Sequence, residues 1–376
     1  MSSQHVITAQ ANYWIAALTR VAPAMAGKKP MPVLYGVRID PASGTVSAYD
    51  YDTSCVTNIA ESEGAGDPIL VTYRWLLDAI RSTTGKTKTA PVQVTVDDKK
   101  VTVSACGYEL HSESLPVAEY PEIPEPSDIL ATVPAAALRA ALRRASIAAS
   151  KDETLPLLTA VRVSISDGAM ELLATDRYRL AEDHVDGQGK GAADFLLNGR
   201  TIKALDRFLT GDDVTIGLSD RRISINTEHV TFTSLSVDGD YPKIKSLFPS
   251  DVTASFEVDR AILLESAKVA ERMNERFSPC FVRLFEGGAE VTFDYGLFGP
   301  SKAPVAAGEA VAGLKDEIKF AISPRYLVET LQQLEGEKVR ISYTSAPKPF
   351  LFSPAGVATD DPQSSKHLIM PVRMPS

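Results

Sequence analysis

Apolar and polar residues alternate strictly in two parts of the chain. VQVTVDDKKVTVSA (Val92 to Ala105) and VTIGLSDRRISINT (Val214 to Thr227) each read as two strands about a turn. Three other stretches carry apolar residues at helical spacing: Asn12 to Ala22, Ala135 to Ser150 and Arg260 to Arg276. Pro23 should stop or kink the first of these, because its ring clashes with the preceding turn. In a shorter helix Ile202, Leu205 and Phe208 form an apolar stripe beside Arg200, Lys203 and Arg207.

The pattern recurs at an offset of roughly 120 residues. PVLYGVRID (Pro32 to Asp40) returns as PLLTAVRVS (Pro156 to Ser164) and more weakly as CFVRLF (Cys280 to Phe285), aligning Arg38, Arg162 and Arg283. SAYDYDT, LATDRYR and VTFDYGL follow, with Asp50, Asp176 and Asp294 in register. TYRWLLDAI, NGRTIKALDRFL and SPRYLVETL then align Arg74, Arg200 and Arg325. EYPEIPEPSD echoes DYPKIKSLFPSD, and these Pro-rich segments, which cannot continue a strand, set boundaries near Pro126 and Pro249. Each repeat thus predicts a helix, strands, a second short helix, more strands and a Pro-rich exit. The fold class is α+β, with domains at 1–126, 127–250 and 251–376.

Composition narrows the classes. With 376 residues, 44% hydrophobic and 23% charged, the chain reads as globular and multidomain rather than disordered. No run approaches the roughly 20 apolar residues of a membrane span, and the start lacks a signal-peptide pattern. Cys55, Cys106 and Cys280 are too scattered for a disulfide framework or zinc site, so a reducing, cytoplasmic setting is expected.

The net charge of −9 argues against a uniformly basic nucleic-acid binder, but the charge is segregated. No Asp or Glu precedes Asp40, whereas Arg20, Lys28, Lys29 and Arg38 do. Between Ile129 and Lys151 the only charges are Arg139, Arg143, Arg144 and Lys151. Lys268, Arg272 and Arg276 recur every four residues in the third repeat, diluted by Glu265 and Glu271. On any one helix such cations are ordinary solvated residues. Repeated across helices of an acidic chain, they suggest a surface kept for a polyanion. The candidate phosphate contacts are Arg20, Arg139, Arg143, Arg200, Lys203, Arg207, Lys268 and Arg272, with Lys28, Lys29 and Lys151 on loops at helix ends. No aromatic-rich basic groove points to single-strand stacking.

Motifs of chemistry are missing. Gly85-Lys86-Thr87 resembles the end of a P-loop, but the required earlier glycine is Ile80 and a helix, not a strand, precedes it. GQGKGAAD (Gly187 to Asp194) has its third glycine misplaced for a dinucleotide fingerprint. His5, His111, His184, His229 and His367 show no metal-ligand spacing, and there is no Gly-x-Ser-x-Gly elbow.

LPLLTAVRV, ATDRYRLA, GDYPKIKSLFP, NERF and the terminal IMPVRM together carry a family resemblance. Over essentially its whole length the chain resembles the bacterial β sliding clamps, in an actinobacterial-like form; these are the processivity subunits of replicative DNA polymerases. The resemblance implies three repeated DNA-clamp domains per chain and a head-to-tail homodimer closing a ring on duplex DNA. It further implies no cofactor, metal or catalysis, and partners that dock by short peptide motifs: the polymerase, the clamp loader and repair factors. The docking residues it implies are Leu158, Thr175, Arg177, Tyr178, Arg179, Leu180, Pro242, Ser246, Leu247, Pro347 and Pro349. Leu368, Ile369, Met370, Pro371, Val372, Arg373 and Met374 of the tail complete the set. Read from the residues alone, Tyr178 and Leu180 are strand packing and Asp176 a turn residue. The chain departs from the family at Arg177, where glycine is common although actinobacterial clamps share the arginine, and at Ser246, where a basic residue is common. A specialised paralogue or phage-borne clamp with altered partners is the alternative within the family. An enzyme on a clamp fold is the alternative outside it.

Overall fold

The computed structural model describes residues 5–25, 27, 31–249, 251–275, 278–294, 299–313, 317–345, 348–357, 361 and 364–372. Among the described residues six α-helices punctuate a chain of antiparallel strands: α1 (Ala11–Val21), α2 (Tyr73–Thr84), α3 (Ala135–Ser146), α4 (Gly199–Phe208), α5 (Arg260–Met273) and α6 (Pro324–Gln333). They recur as one pair per repeat, and Arg74, Arg200 and Arg325 each stand second in the second helix of their pair. As expected, α1 gives way to a 3-10 turn, Ala22–Met25, at Pro23. α3 stops four residues short of the expected Ser150. The amides of Ala148 and Ala149 turn back to the carbonyls three residues earlier, and that of Ser150 reaches Leu158 O at 2.7 Å. The Asp259 carboxylate caps α5 by accepting from Ile262 N at 2.8 Å; Arg276 lies outside the described residues.

Contacts group the chain into two compact units. The first comprises residues 1–136 and 203–236, the second 137–202 and 237–376. In the first, the strands Glu63–Ala65, His5–Gln10, Pro91–Asp97, Lys100–Ala105 and Tyr108–Glu113 form one sheet in that order. Another sheet runs Ile129–Pro134, Asp213–Ser219, Arg222–Asn226, Val230–Leu235, Thr53–Asn58, Thr45–Tyr49, Gly36–Asp40 and Ile69–Thr72. Its centre joins two repeats, because Val230–Leu235 pairs with Thr53–Asn58. α1 and α2 pack together, burying Trp14, Leu18, Leu76 and Ile80, and the Trp14 indole donates to Val92 O at 3.3 Å.

The second unit is built likewise. Its sheet runs Ala192–Asn198, Ala160–Ser166, Ala169–Thr175, Arg179–Val185, Lys366–Ile369, Phe350–Pro354, Lys338–Tyr343, Ala254–Asp259 and on into the strands of the third repeat. The last strand of the chain, Lys366–Ile369, is inserted between the second and third repeats, with Arg179 opposite Ile369 and Phe350 opposite Ile369 on the other side. Strand alternation then separates two apolar clusters. Ile369, Phe350 and Phe352 join Phe256, Leu263 and Leu327 beneath α5 and α6. Leu180, Leu368 and Leu351 join Leu173 and Ile244 in a second cluster. Among the described residues no helix is long and apolar enough to cross a membrane.

Candidate docking cleft and cationic helices

The segment ATDRYR is a tightly wired turn. Asp176 Oδ1 accepts from Tyr178 N and Arg179 N, each at 3.0 Å, and Thr175 Oγ1 accepts from Arg177 N at 3.0 Å while donating to Arg179 O at 2.8 Å. Arg177 is held at φ +79°, a left-handed conformation that disfavours a side chain bearing Cβ. The same turn recurs in the first repeat, where Asp50 Oδ1 accepts from Asp52 N and Thr53 N and Tyr51 sits at φ +73°. Asp176 is therefore a structural carboxylate. A glycine at position 177 would carry no strain, which gives the departure from the family's common residue a physical cost.

Beside this turn opens a cleft of about 610 Å³. Six of the expected docking residues line it: Arg177, Leu180, Ser246, Leu247, Pro349 and Met370. Two large apolar side chains of its lining are unburied, Leu247 at 54% exposure and Met370 at 38%. Met370 N donates to Tyr178 O at 2.9 Å, so the end of the final strand and the turn meet directly. Phe248, Pro249, Asp251, Thr344 and Lys348 also line the cleft and were not expected. Phe248 and Pro249 directly follow Leu247 in SLFP, which was the available signal; Asp251 and Thr344 had none.

Other expected residues stand elsewhere. Arg179 is buried on the helix-side face, with Nε 3.0 Å from Asp176 Oδ2, Nη1 2.6 Å from Glu329 Oε2 and its guanidinium 4.3 Å from the Tyr326 ring centre. Thr175 is buried, Leu158 is half-buried in the turn Pro156–Thr159, and Pro242 is exposed; none of the three lines the cleft. Leu368 and Ile369 are buried in the sheet, and Val372 N bonds Ala321 O at 2.8 Å beyond the half-buried Pro371. Pro347, Arg373 and Met374 lie outside the described residues.

A charged cluster stands on the strands Ala169–Thr175 and Arg179–Val185. Glu171, Glu182 and His184 approach within 4.8 Å of one another, a grouping that cross-strand pairing of Glu171 with His184 produces and sequence spacing hid. By residue type they could hold a cation. The Lys245 ammonium contacts Glu171 and stands 3.8 Å from Glu182 Oε1, so an internal cation already serves them. The His184 ring, aided by Lys245, holds the Glu171 carboxyl down at about 2, whereas burial pushes Glu182 up.

Of the expected cations, Arg143, Lys151, Arg200, Lys203, Arg207 and Arg272 are exposed, while Arg20, Arg139 and Lys268 are half-buried. Lys268 Nζ is 2.7 Å from Glu265 Oε1, which locally neutralises it. Lys28 and Lys29 lie outside the described residues. Arg144 points inward instead, holding Asp183 through two nitrogens and Glu335 at 3.2 Å.

Three family models match successive parts of the chain. The N-terminal, central and C-terminal domains of the DNA polymerase III beta subunit match residues 6–124, 132–243 and 245–373. The beta sliding clamp of Streptomyces coelicolor is 32% identical, with 95% of this chain and 96% of that protein covered. The beta sliding clamp homolog GriR of Streptomyces muensis is 27% identical, over 94% and 95%. In fold, the DNA polymerase sliding clamp from Bacillus subtilis superposes with a TM-score of 0.88 at 23% identity, covering 99% of this chain and all of that one.

Proposed function

The chain belongs to the DNA polymerase III beta subunit family, the β sliding clamps, and from this premise we propose how it works. As a homodimeric ring it encircles duplex DNA, tethering a polymerase through the cleft beside Arg177. Its domains are 1–126, 127–250 and 251–376, and it acts in the cytoplasm as a scaffold rather than a catalyst. Arg139 and Arg143 of α3, Arg200, Lys203 and Arg207 of α4, Lys268 and Arg272 of α5, Arg20 of α1, Lys151 and the Lys28–Lys29 pair meet phosphates without reading bases. The clamp loader and repair factors use the same cleft in turn.

The observation that carries the reading is the pairing of Leu247 and Met370, exposed and apolar, around a cleft with buried Leu180 in its wall. A solvated surface gains nothing from such a group. A partner motif burying two side chains there would gain roughly 3–6 kcal/mol before ordering costs, which suits micromolar exchange. A second reading, a specialised paralogue, is supported by the similarity to GriR.

The test is topological. After loading onto a nicked circular plasmid, linearisation should release the protein at unchanged ionic strength. Equal retention on free-ended linear DNA would mean that the protein binds DNA without encircling it. A parallel turnover screen with nucleotides and DNA should show no hydrolysis that a single carboxylate substitution removes.

A further inference from the structure

Glu171 lies directly opposite His184 across two antiparallel strands, and Glu182, opposite Leu173, projects from the same face two residues earlier. The facing atoms are close. His184 Nε2 stands 3.5 Å from Glu182 Oε1 and 3.7 Å from Glu171 Oε2, and one donor atom from each residue fits within 4.8 Å of the others. Zinc held tetrahedrally at about 2.0–2.1 Å sets its ligands roughly 3.4 Å apart, so small side-chain rotations close the set around an ion.

These groups differ from solvated surface acids. The Glu182 side chain is only 5% exposed, and it accepts no hydrogen bond among the described residues. Its cationic neighbours fall short of it: Lys245 Nζ is 3.8 Å away, and Lys366, opposite on the final strand, forms no ion pair with it among the described residues. The His184 ring is mostly buried, and its Nδ1 is enclosed without a partner among the described residues. The imidazole is thus engaged only through the nitrogen that faces both carboxylates. Lys245 touches Glu171 but is itself 60% exposed, so it can swing out into solvent. Within 4 Å two carboxylates face one ammonium, and a dication in its place balances both.

We propose that Glu171, Glu182 and His184 form a zinc-binding site, with Lys245 as the internal cation that the metal displaces. One imidazole nitrogen with two carboxylate oxygens suits zinc better than magnesium or calcium, which favour oxygen ligands. Three protein ligands leave the fourth position to water, on the side that the lysine vacates. None of the three residues lines the docking cleft, so the site stands independently of the docking reading.

Calorimetric titration of the full-length, metal-free protein with zinc chloride tests this, and cobalt(II) absorption reports the ligand geometry. One zinc per chain should bind, and cobalt should give the intense visible bands of a four-coordinate site. Glu182→Gln and His184→Gln should each weaken zinc binding at least about tenfold, with circular dichroism unchanged. Lys245→Met should tighten binding about fivefold, because the competing ion pair is gone. That variant alters a largely exposed side chain, so it still reads the site where a buried substitution disturbs folding. Excess magnesium should leave the zinc isotherm unmoved. Absence of zinc binding by the natural chain would overturn the site. So would an affinity indifferent to both Glu182→Gln and His184→Gln, which would assign the metal to other histidines. Weaker binding by Lys245→Met would overturn the displacement.

Discussion

Single residues carry roles that their types alone do not announce. His367, on the final strand between Ala181 and Phe352, is fully buried; burial pushes its ring down from 6.5 to about 4, with Asp183 opposing and Arg179 and Arg144 adding to the shift. Between those two values the unfolded chain binds a proton that the folded chain refuses. Stability is therefore undiminished above pH 6.5 and declines as pH falls towards 4, by roughly 3 kcal/mol in all. Glu171 acts in a separate window: its depressed carboxyl stabilises the fold above about pH 4.5, and that contribution disappears as pH falls towards 2. Urea denaturation at pH 7.5 and 5 isolates the histidine. The loss of stability between the two should be about 2 kcal/mol smaller for His367→Leu than for the natural chain, and an identical loss in both would mean that the ring titrates freely. Little of this was legible in the sequence. Asp176 as a turn residue was, because Asp accepts from amides two and three positions on. Arg179 inside the sheet was not, since its partner Glu329 lies 150 residues away and only the fold brings them together.

At the scale of elements, local patterns survived and long-range pairings did not. The alternation of Val92 to Ala105 and the recurring arginines at the second helices fix where strands and helices lie. Nothing periodic indicates that Val230–Leu235 will pair with Thr53–Asn58, or that the final strand will enter between two repeats. Arg144 shows what such closure costs and gains. It reaches from α3 to the strand Arg179–Val185, where Asp183 is only 3% exposed, so losing one partner strands a buried charge. Asp183→Asn should cost about 3 kcal/mol in chemical denaturation, whereas Arg144→Met combined with Asp183→Leu should recover most of that loss. A double variant no better than the single one would assign the cost to packing. The tail separates binding from folding. Lys366–Ile369 is held on both sides, but beyond it Met370 and Val372 contribute one backbone bond each through their amides. Removing Met370 to Ser376 should lower peptide affinity at least tenfold by anisotropy with a small change in the urea midpoint. Unchanged affinity would place the docking site elsewhere.

The whole molecule poses a charge problem that only topology solves. At −9 per chain, two chains carry 2 × (−9) = −18, so the net field repels a polyanion, and the cations proposed on the helices have to attract it locally. Tight binding by contact alone would need many more phosphate partners, and it would weaken steeply as salt rises. Encirclement removes the conflict, because a closed ring stays on DNA without holding it. Closure in turn needs a second chain: three repeats supply half of a six-unit ring, and the strand Tyr108–Glu113 is paired on one side only among the described residues. An edge of this kind, with Tyr108 60% exposed, invites another strand, and a two-fold closed assembly uses it up instead of propagating. We therefore expect native mass spectrometry at micromolar concentration to give twice the chain mass, with no larger species. Glu109 and His111, placed on that edge, supply the check: charge-reversing Glu109→Lys together with His111→Glu should shift the mass towards one chain while circular dichroism stays unchanged. A monomer in the natural protein would end the ring model, and higher oligomers would mean that the edge pairs without closing.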